Sequence, residues 1–456
     1  MYIGFDYGTA NCSVASMVKD ATSGKDKPVL IPLENDSNFI PSTLCAPTRE
    51  AVSEALFRHH GISPSDSVGE QVLRRSITFN REEDIEVLAD DILFGQAALD
   101  LYLEDPREVY YVKSPKSFLG ASGLHEVQIR FFEDLVCSMM VNIKNNAESH
   151  IDQVINDAVI GRPINFHGRG GEESNQQAET ILRNAAIRAG FRNIEFQFEP
   201  VAAGLDYENT LSENKTVLVV DIGGGTTDCS LIEMGPGWAH QTDRTTSLLA
   251  HSGQRVGGND FDIYLAFKQL MPAFGKGSKT HAGIDIPLNQ FWNPVAINNV
   301  EAQRDFYGRE NHKVLKQLRK DALEPNKIER LLQVYMETLG YSIIRQAEQA
   351  KIALSDAPLF TTQLNLISEM LEVDVSQAQM AEAVSTPQEK MIDLVAEAVR
   401  LGGKNPDAIY LTGGSARSPI LRAAIEAQLP NIPIVSGNFF GSVTAGLTHW
   451  ANTCFR

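Results

Sequence analysis

Cysteine is scarce in this chain: five in 456 residues, at positions 12, 45, 137, 229 and 454, with no CxxC spacing. An odd, scattered set is neither a disulfide frame nor a zinc site, and it reads as reduced thiols in a cytoplasmic protein. Positive charge is short as well. Forty Lys and Arg face 58 Asp and Glu, a net charge of −18. Such a field repels phosphate at long range and argues against nucleic-acid or anionic-membrane partners. Any phosphate ligand must then be held by local backbone donors and a counter-ion. No apolar run nears the roughly 18 residues of a membrane span. The chain reaches Asp6 almost at once, so no signal-peptide core is expected. A Walker A loop is missing too: Gly-Lys occurs at 24–25, 275–276 and 403–404, and none has Gly five residues upstream. With no GxGxxG after a first strand either, a P-loop site and a dinucleotide fingerprint are both excluded. What is present suits a folded protein, with 43% apolar and 21% charged residues. At roughly 150 residues per domain, the length suggests two or three lobes.

The most informative positive feature is an internal echo. Ile3-Gly4-Phe5-Asp6-Tyr7-Gly8-Thr9-Ala10-Asn11-Cys12-Ser13-Val14 resembles Val219-Val220-Asp221-Ile222-Gly223-Gly224-Gly225-Thr226-Thr227-Asp228-Cys229-Ser230-Leu231. Each is an apolar strand, an Asp, a Gly/Thr turn, then Cys-Ser and a second apolar stretch. That is the pattern of a β-hairpin with a glycine-rich turn. Two copies predict two homologous lobes, each starting with such a hairpin.

Other elements arrange themselves around the hairpins. Residues 157–161 predict a buried strand, 173–190 a helix stopped by Gly190, 193–198 a returning strand and 200–207 a short helix. Near the end, 408–412 predicts a strand meeting Gly413-Gly414-Ser415, and Ser418-Pro419 opens a helix to Leu429. Strands alternating with helices predict an α/β architecture. Two stretches read as peripheral insertions. Residues 48–112 begin with an amphipathic segment, 50–59, and a polar loop, 61–71. Residues 271–310 are rich in Pro and Gly around Trp292. Helical runs at about 311–323 and 326–355 follow.

Glycines in a tight turn let backbone N–H groups approach an anion, and Thr hydroxyls add donors. A carboxylate beside a phosphate implies a divalent cation between them, normally hydrated Mg²⁺. Asp6, Asp221 and Asp228 suit ligation of such a cation through waters and positioning of an attacking water. Three hairpin aspartates can equally satisfy their own turns; the pairing of the two motifs favours the site. Leu411-Thr412-Gly413-Gly414-Ser415-Ala416-Arg417 is a strand running into Gly-Gly, a surface for a flat ring on which Arg417 can stack. Alone it is only a glycine-rich strand-to-helix turn. Glu348, Lys351 and Ser355, at i, i+3 and i+7, predict one helical face turned to a ribose or adenine.

The ordered set is DxGT, then Glu-Pro at 199–200, DxGGGTxD, Glu-x-x-Lys at 348–351 and GGSxRxP at 413–419. It resembles the actin-like ATPases, in detail the nucleotide-binding domain of DnaK-type heat-shock chaperones, and within them the YegD-type chaperones. The likeness runs from Tyr2 to about Gly446. It implies an α/β, two-lobed actin-like ATPase fold of duplicated ribonuclease-H-like lobes, taking ATP or ADP with Mg²⁺. Lobe I would be 1–212 with an insertion at about 34–125, completed by 436–456; lobe II would be 213–435 with an insertion at about 257–368. By the same resemblance, Gly8, Thr9, Ala10 and Asn11 match the first phosphate loop and Gly223, Gly224, Gly225 and Thr226 the second. Lys116, the one of Lys113 and Lys116 at the matching distance from Gly120, would meet the γ-phosphate and attacking water. Glu199 would stand near the metal waters, and Pro163 would relay nucleotide state between lobes. Asp6, Asp221 and Thr226 join Lys116 and Glu199 as the implied catalytic set, with Asp6, Asp221 and Asp228 on the metal through waters. Gly257, Gly258, Glu348, Lys351, Ser355, Gly413, Gly414, Ser415 and Arg417 would hold the nucleoside.

This chain also departs from the pattern. Ile352 replaces an Arg beside Lys351, which removes a cationic stack on one adenine face. Asn438-Phe439-Phe440-Gly441 replaces the acidic residue before the last Val-x-x-Gly, against the usual linker docking. Ten residues follow Gly446, so no peptide-binding β-sandwich is expected, and a protein partner or co-chaperone would dock on the insertions. The implied function is a slow, Hsp-type chaperone-like ATPase whose lobe closure regulates a partner. The alternatives are a sugar- or acetate-type kinase of the same superfamily and an MreB-like filament-forming ATPase.

Overall fold

The computed structural model describes residues 1–456 apart from 21–23, 25, 35–36, 105–107, 167–170, 239–240, 242–244, 365–370 and 438–440. The Asn438-Phe439-Phe440 segment thus lies outside the described residues. By compactness the chain divides into two units. The first comprises Met1–Arg255, Met391–Arg417 and Arg422–Arg456, and the second Val256–Lys390 and Ser418–Leu421.

The first unit is built on two sheets of one topology. In the first sheet, β1 (Tyr2–Tyr7), β2 (Asn11–Lys19), β3 (Asp26–Leu30), β4 (Asp157–Arg162) and β5 (Asn193–Phe198) lie in the order β3-β2-β1-β4-β5, with Ile40–Pro41 also paired to β2. In the second, β6 (Lys215–Ile222), β7 (Thr227–Met234), β8 (Leu248–Gln254), β9 (Ala408–Thr412) and β10 (Ile434–Ser436) lie in the order β8-β7-β6-β9-β10. Each sheet starts with an antiparallel hairpin and adds two parallel strands beyond its first strand. This is the duplicated α/β plan of the actin-like ATPases.

Composition explains which strands are central. Ile3, Phe5 and Tyr7 of β1, and Val217 to Val220 of β6, have no exposed surface. Strands covered on both faces must be apolar throughout. An Asp at the carboxyl end of each of these strands therefore stands out against its surroundings. In open sheets ligands gather at that end, where the strand order turns around. The first sheet carries an insert: a three-stranded sheet of Leu93–Phe94, Thr43–Ala46 and Tyr110–Lys113, with helices Arg49–His60, Ser67–Glu82 and Gly95–Glu104. The stretch 61–71 is not all loop. Asp66 caps a helix that starts at Ser67, its Oδ1 accepting from Gly69 N at 2.9 Å.

The second unit is mainly helical. The run expected at 326–355 is two helices, Pro325–Met336 and Gly340–Ala353, parted at Thr338, whose φ is +54°. The 271–310 stretch contains the helix Val300–Tyr307, capped by the Asn299 side chain on Ala302 N at 3.1 Å. Among the described residues, no helix is long and apolar enough to cross a membrane.

Candidate nucleotide site

The two hairpins deliver their turns to one place in the first unit. In the first, Asp6 lies opposite Ser13 and Tyr7 opposite Cys12, so the chain turns over Gly8-Thr9-Ala10-Asn11. Neighbours pin that turn. Ser114 Oγ donates to Thr9 O at 2.6 Å, Ser42 N to Ala10 O at 2.8 Å, and Ser114 N to Ser42 O at 2.8 Å. In the second hairpin Asp221 lies opposite Asp228, and Gly223 N donates to Thr226 O at 2.9 Å to close the turn. The 413–417 turn braces it from behind, with Ser415 Oγ donating to Gly223 O at 3.2 Å. Gly413 sits there at φ +85°, where a β-carbon would come within 2.6 Å of Asp221 Oδ1. A side chain is therefore barred by space and by backbone conformation alike. The turns also approach each other: a β-carbon on Gly225 would lie 2.9 Å from Thr9 Cγ2.

Lys116 enters from a short 3₁₀ turn, Pro115–Phe118, that follows Ser114 at φ +58°. Its side chain is 4% exposed; Nζ pairs with Glu199 Oε1 and donates to Gly161 O at 3.2 Å. Glu199 is the first residue of the helix Glu199–Glu208. A carboxylate there gains from the positive end of the helix dipole.

Around this one lysine stand Asp6, Glu199, Asp221 and Asp228. Burial, then repulsion from Glu199, lifts the Asp6 carboxyl from 3.8 to about 7, with Lys116 opposing. The same two causes lift Asp228 to about 8, against Lys116 and a hydrogen bond from Thr226. Asp221 is held well above the ordinary range by burial, then by Glu199, Asp228 and Asp6. Asp228 is 2% exposed, and its Oδ1 has no hydrogen-bond partner. A buried oxygen of that kind is costly unless something compensates it. A hydrated divalent cation fits this donor set, because it would supply both the missing positive charge and the missing donors. Among the described residues, no three His, Cys, Asp or Glu side chains converge closely enough to chelate a metal directly. The cation would be held through its waters.

A solvent-open cleft of about 340 Å³ lies over these groups, lined by Thr9, Lys116, Ser117, Pro163, Phe166, Glu199, Gly225, Thr226 and Arg255. It brings together the predicted Thr9, Lys116, Glu199, Gly225, Thr226 and Pro163. Gly8, Ala10, Asn11, Gly223 and Gly224 complete the two turns without lining it; Asp6, Asp221 and Asp228 stand at the strand ends. Ser117, Phe166 and Arg255 escaped the sequence reading. Only the register of β8 against β7 reveals Arg255 as a neighbour of the second turn.

The nucleoside candidates divide. Gly413, Gly414, Ser415 and an exposed Arg417 belong to the first unit. Gly257, Gly258, Glu348, Lys351 and Ser355 belong to the second. There, Gly257 caps the helix Gly258–Leu265, and Lys351 Nζ pairs with buried Asp262 at 2.7 Å and donates to Gly258 O at 3.3 Å. Glu348 pairs with Arg345 at 2.8 Å. Ser355 does not share their helix, which ends at Ala353. It lies in the following turn, its Oγ donating to Lys351 O at 3.3 Å.

Comparison with known proteins agrees with this fold. A family model described as Hsp70 protein matches residues 125–293. The chain is 24% identical over 383 residues to the chaperone protein dnaK of Emiliania huxleyi, covering 76% of this chain and 50% of that protein. It thus spans about half the length of this curated relative.

Proposed function

We propose that this chain, a member of the Hsp70 family, binds Mg·ATP between its two glycine turns and hydrolyses it slowly, and that lobe closure regulates a partner protein. The observation that carries the reading is the approach of Gly225 to Thr9 beside the buried Lys116–Glu199 pair. Two glycine turns from two matching sheets, meeting over one lysine and four carboxylates, suit a polyphosphate with a divalent counter-ion better than any neutral ligand.

Each group then has a task. Backbone amides of 8–11 and 223–226 hold the β- and γ-phosphates. Lys116, steadied by Gly161 O and Glu199, presents its ammonium to the γ-phosphate and the attacking water. Glu199 orients that ammonium. Asp6, Asp221 and Asp228 accept hydrogen bonds from the waters of the cation. When bound, Mg²⁺ would neutralise phosphate charge and order those waters. Lys351 already shares its charge with Asp262, so any part it has in holding a nucleoside is smaller than the spacing suggests. The nearer likeness to YegD-type chaperones rests on the sequence motifs, and a cytoplasmic setting on the scattered cysteines.

Single-turnover assays with γ-labelled ATP test the reading. Labelled inorganic phosphate should appear with Mg²⁺ and not with EDTA, and none of the label should pass to a panel of sugars or acetate. Transfer to a member of that panel would favour a small-molecule kinase instead. No phosphate release with Mg²⁺ would overturn the ATPase reading.

A further inference from the structure

The end of β8 lies along the second phosphate turn. Gly253 is opposite Asp228, and a β-carbon there would come within 2.5 Å of Asp228 Oδ1. Gln254 is opposite Thr227, which carries the next residue, Arg255, alongside Thr226, the last residue of the turn. Arg255 is exposed and lines the same cleft as Thr9, Lys116, Gly225 and Thr226. Of the described residues lining the cleft, Lys116 and Arg255 are the two cations. They are placed differently: Lys116 is buried against Glu199 and Gly161 O, whereas Arg255 stands at the mouth of the cleft.

We infer that Arg255 is a further catalytic residue of this site, one that sets its guanidinium against the terminal phosphate and neutralises charge developing there during hydrolysis. The inference rests on the Mg·ATP reading. In the reaction the water oxygen bonds to the γ-phosphorus, and the bond from phosphorus to the β–γ bridging oxygen breaks, its electron pair leaving on ADP. A proton of the water passes to solvent. Arg255 transfers no proton, since a guanidinium stays charged throughout. It offers paired N–H donors to the equatorial and bridging oxygens, where charge accumulates in a loose phosphoryl-transfer transition state. Lys116, placed by Glu199 and Gly161 O, is a single ammonium and leaves the remaining oxygens to a second cation.

The test compares wild type, Arg255→Ala and Arg255→Lys in single-turnover hydrolysis, with binding of a fluorescent ATP analogue measured separately. Arg255→Ala should bind nucleotide nearly as wild type does, since backbone amides of the two turns do the holding. Its turnover should fall about 10²-fold. Guanidinium chloride at low millimolar concentration should restore part of the lost rate to Arg255→Ala while leaving wild type unchanged. Arg255→Lys should recover less than arginine gives, lacking the paired donors. An unchanged rate in Arg255→Ala overturns the inference, and so does a loss shared equally by binding and turnover or one that guanidinium does not relieve. If wild type itself neither binds the analogue nor hydrolyses ATP, the nucleotide reading fails, and the inference with it.

Discussion

The two glycine-turn hairpins share a topology and differ in what surrounds them. Both turn over four residues; the first has one carboxylate at its base, Asp6, and is pinned by serines from the insert and the lysine turn. The second sets Asp221 opposite Asp228 and is braced by Ser415. Lysine comes to the cleft on the side of the first turn, just beyond Ser114, and arginine on the side of the second, at the end of β8. A duplicated backbone thus supplies two similar turns, and under the proposed reading unlike neighbours divide the chemistry between them. One turn carries a buried ammonium; the other carries a carboxylate pair with an unpartnered oxygen, suited to a hydrated cation.

Removing the ammonium should break this division most severely. Lys116→Ala should lower single-turnover hydrolysis by about 10² to 10³ while nucleotide affinity changes little, because backbone amides do the holding. Equal losses in rate and affinity would mean that Lys116 only binds. Closing the gap between the turns comes next. Gly225→Val forces a side chain against Thr9 and Ser117. Overpacking of about 1–3 kcal/mol corresponds to roughly tenfold or more in nucleotide affinity, read by calorimetric titration. Unaltered affinity would show that the turns do not jointly grip the ligand.

The smallest effect concerns the carboxylates. Asp6 and Asp228 hold protons in the folded chain at pH values where an unfolded carboxylate has lost them, being raised from 3.8 to about 7 and about 8. Their contribution to stability is complete below about pH 4 and is lost as pH rises through about 7 and 8. Melting in EDTA should show the decline over that window, and Mg²⁺ with nucleotide should flatten it. Asp228→Asn should raise the EDTA melting point at pH 8 by about 2 °C while slowing hydrolysis. A lower melting point for Asp228→Asn at pH 8 would place the destabilising charge elsewhere.

Much of this was legible in the sequence where the signal is local. Glycine turns, the Asp at each strand end, and the spacing of Lys116 to Gly120 are carried by adjacent residues, and the matching sheets follow from the repeated hairpin. What escaped depends on partners distant in the chain. The pairing of Lys351 with Asp262 joins residues 89 apart, and no helical periodicity announces it. Arg255 follows a polar strand end, and only pairing with β7 brings it to the turn. Helix ends failed for a related reason. The run 326–355 keeps its apolar spacing through Thr338, yet a left-handed residue there breaks it. The helix Ser67–Glu82 starts inside a polar stretch because Asp66 caps it and pairs with Arg130 at 2.5 Å, a contact made across 64 residues.

The central claim is that the paired turns form a site for Mg·ATP, and thermal melting of the wild-type chain tests it most directly. With nucleotide at 100 times its dissociation constant, the folded state should gain about 2.7 kcal/mol, raising the melting point with Mg·ATP or Mg·ADP and far less with either nucleotide in EDTA. A melting point unmoved by millimolar Mg·ATP and Mg·ADP alike would contradict it.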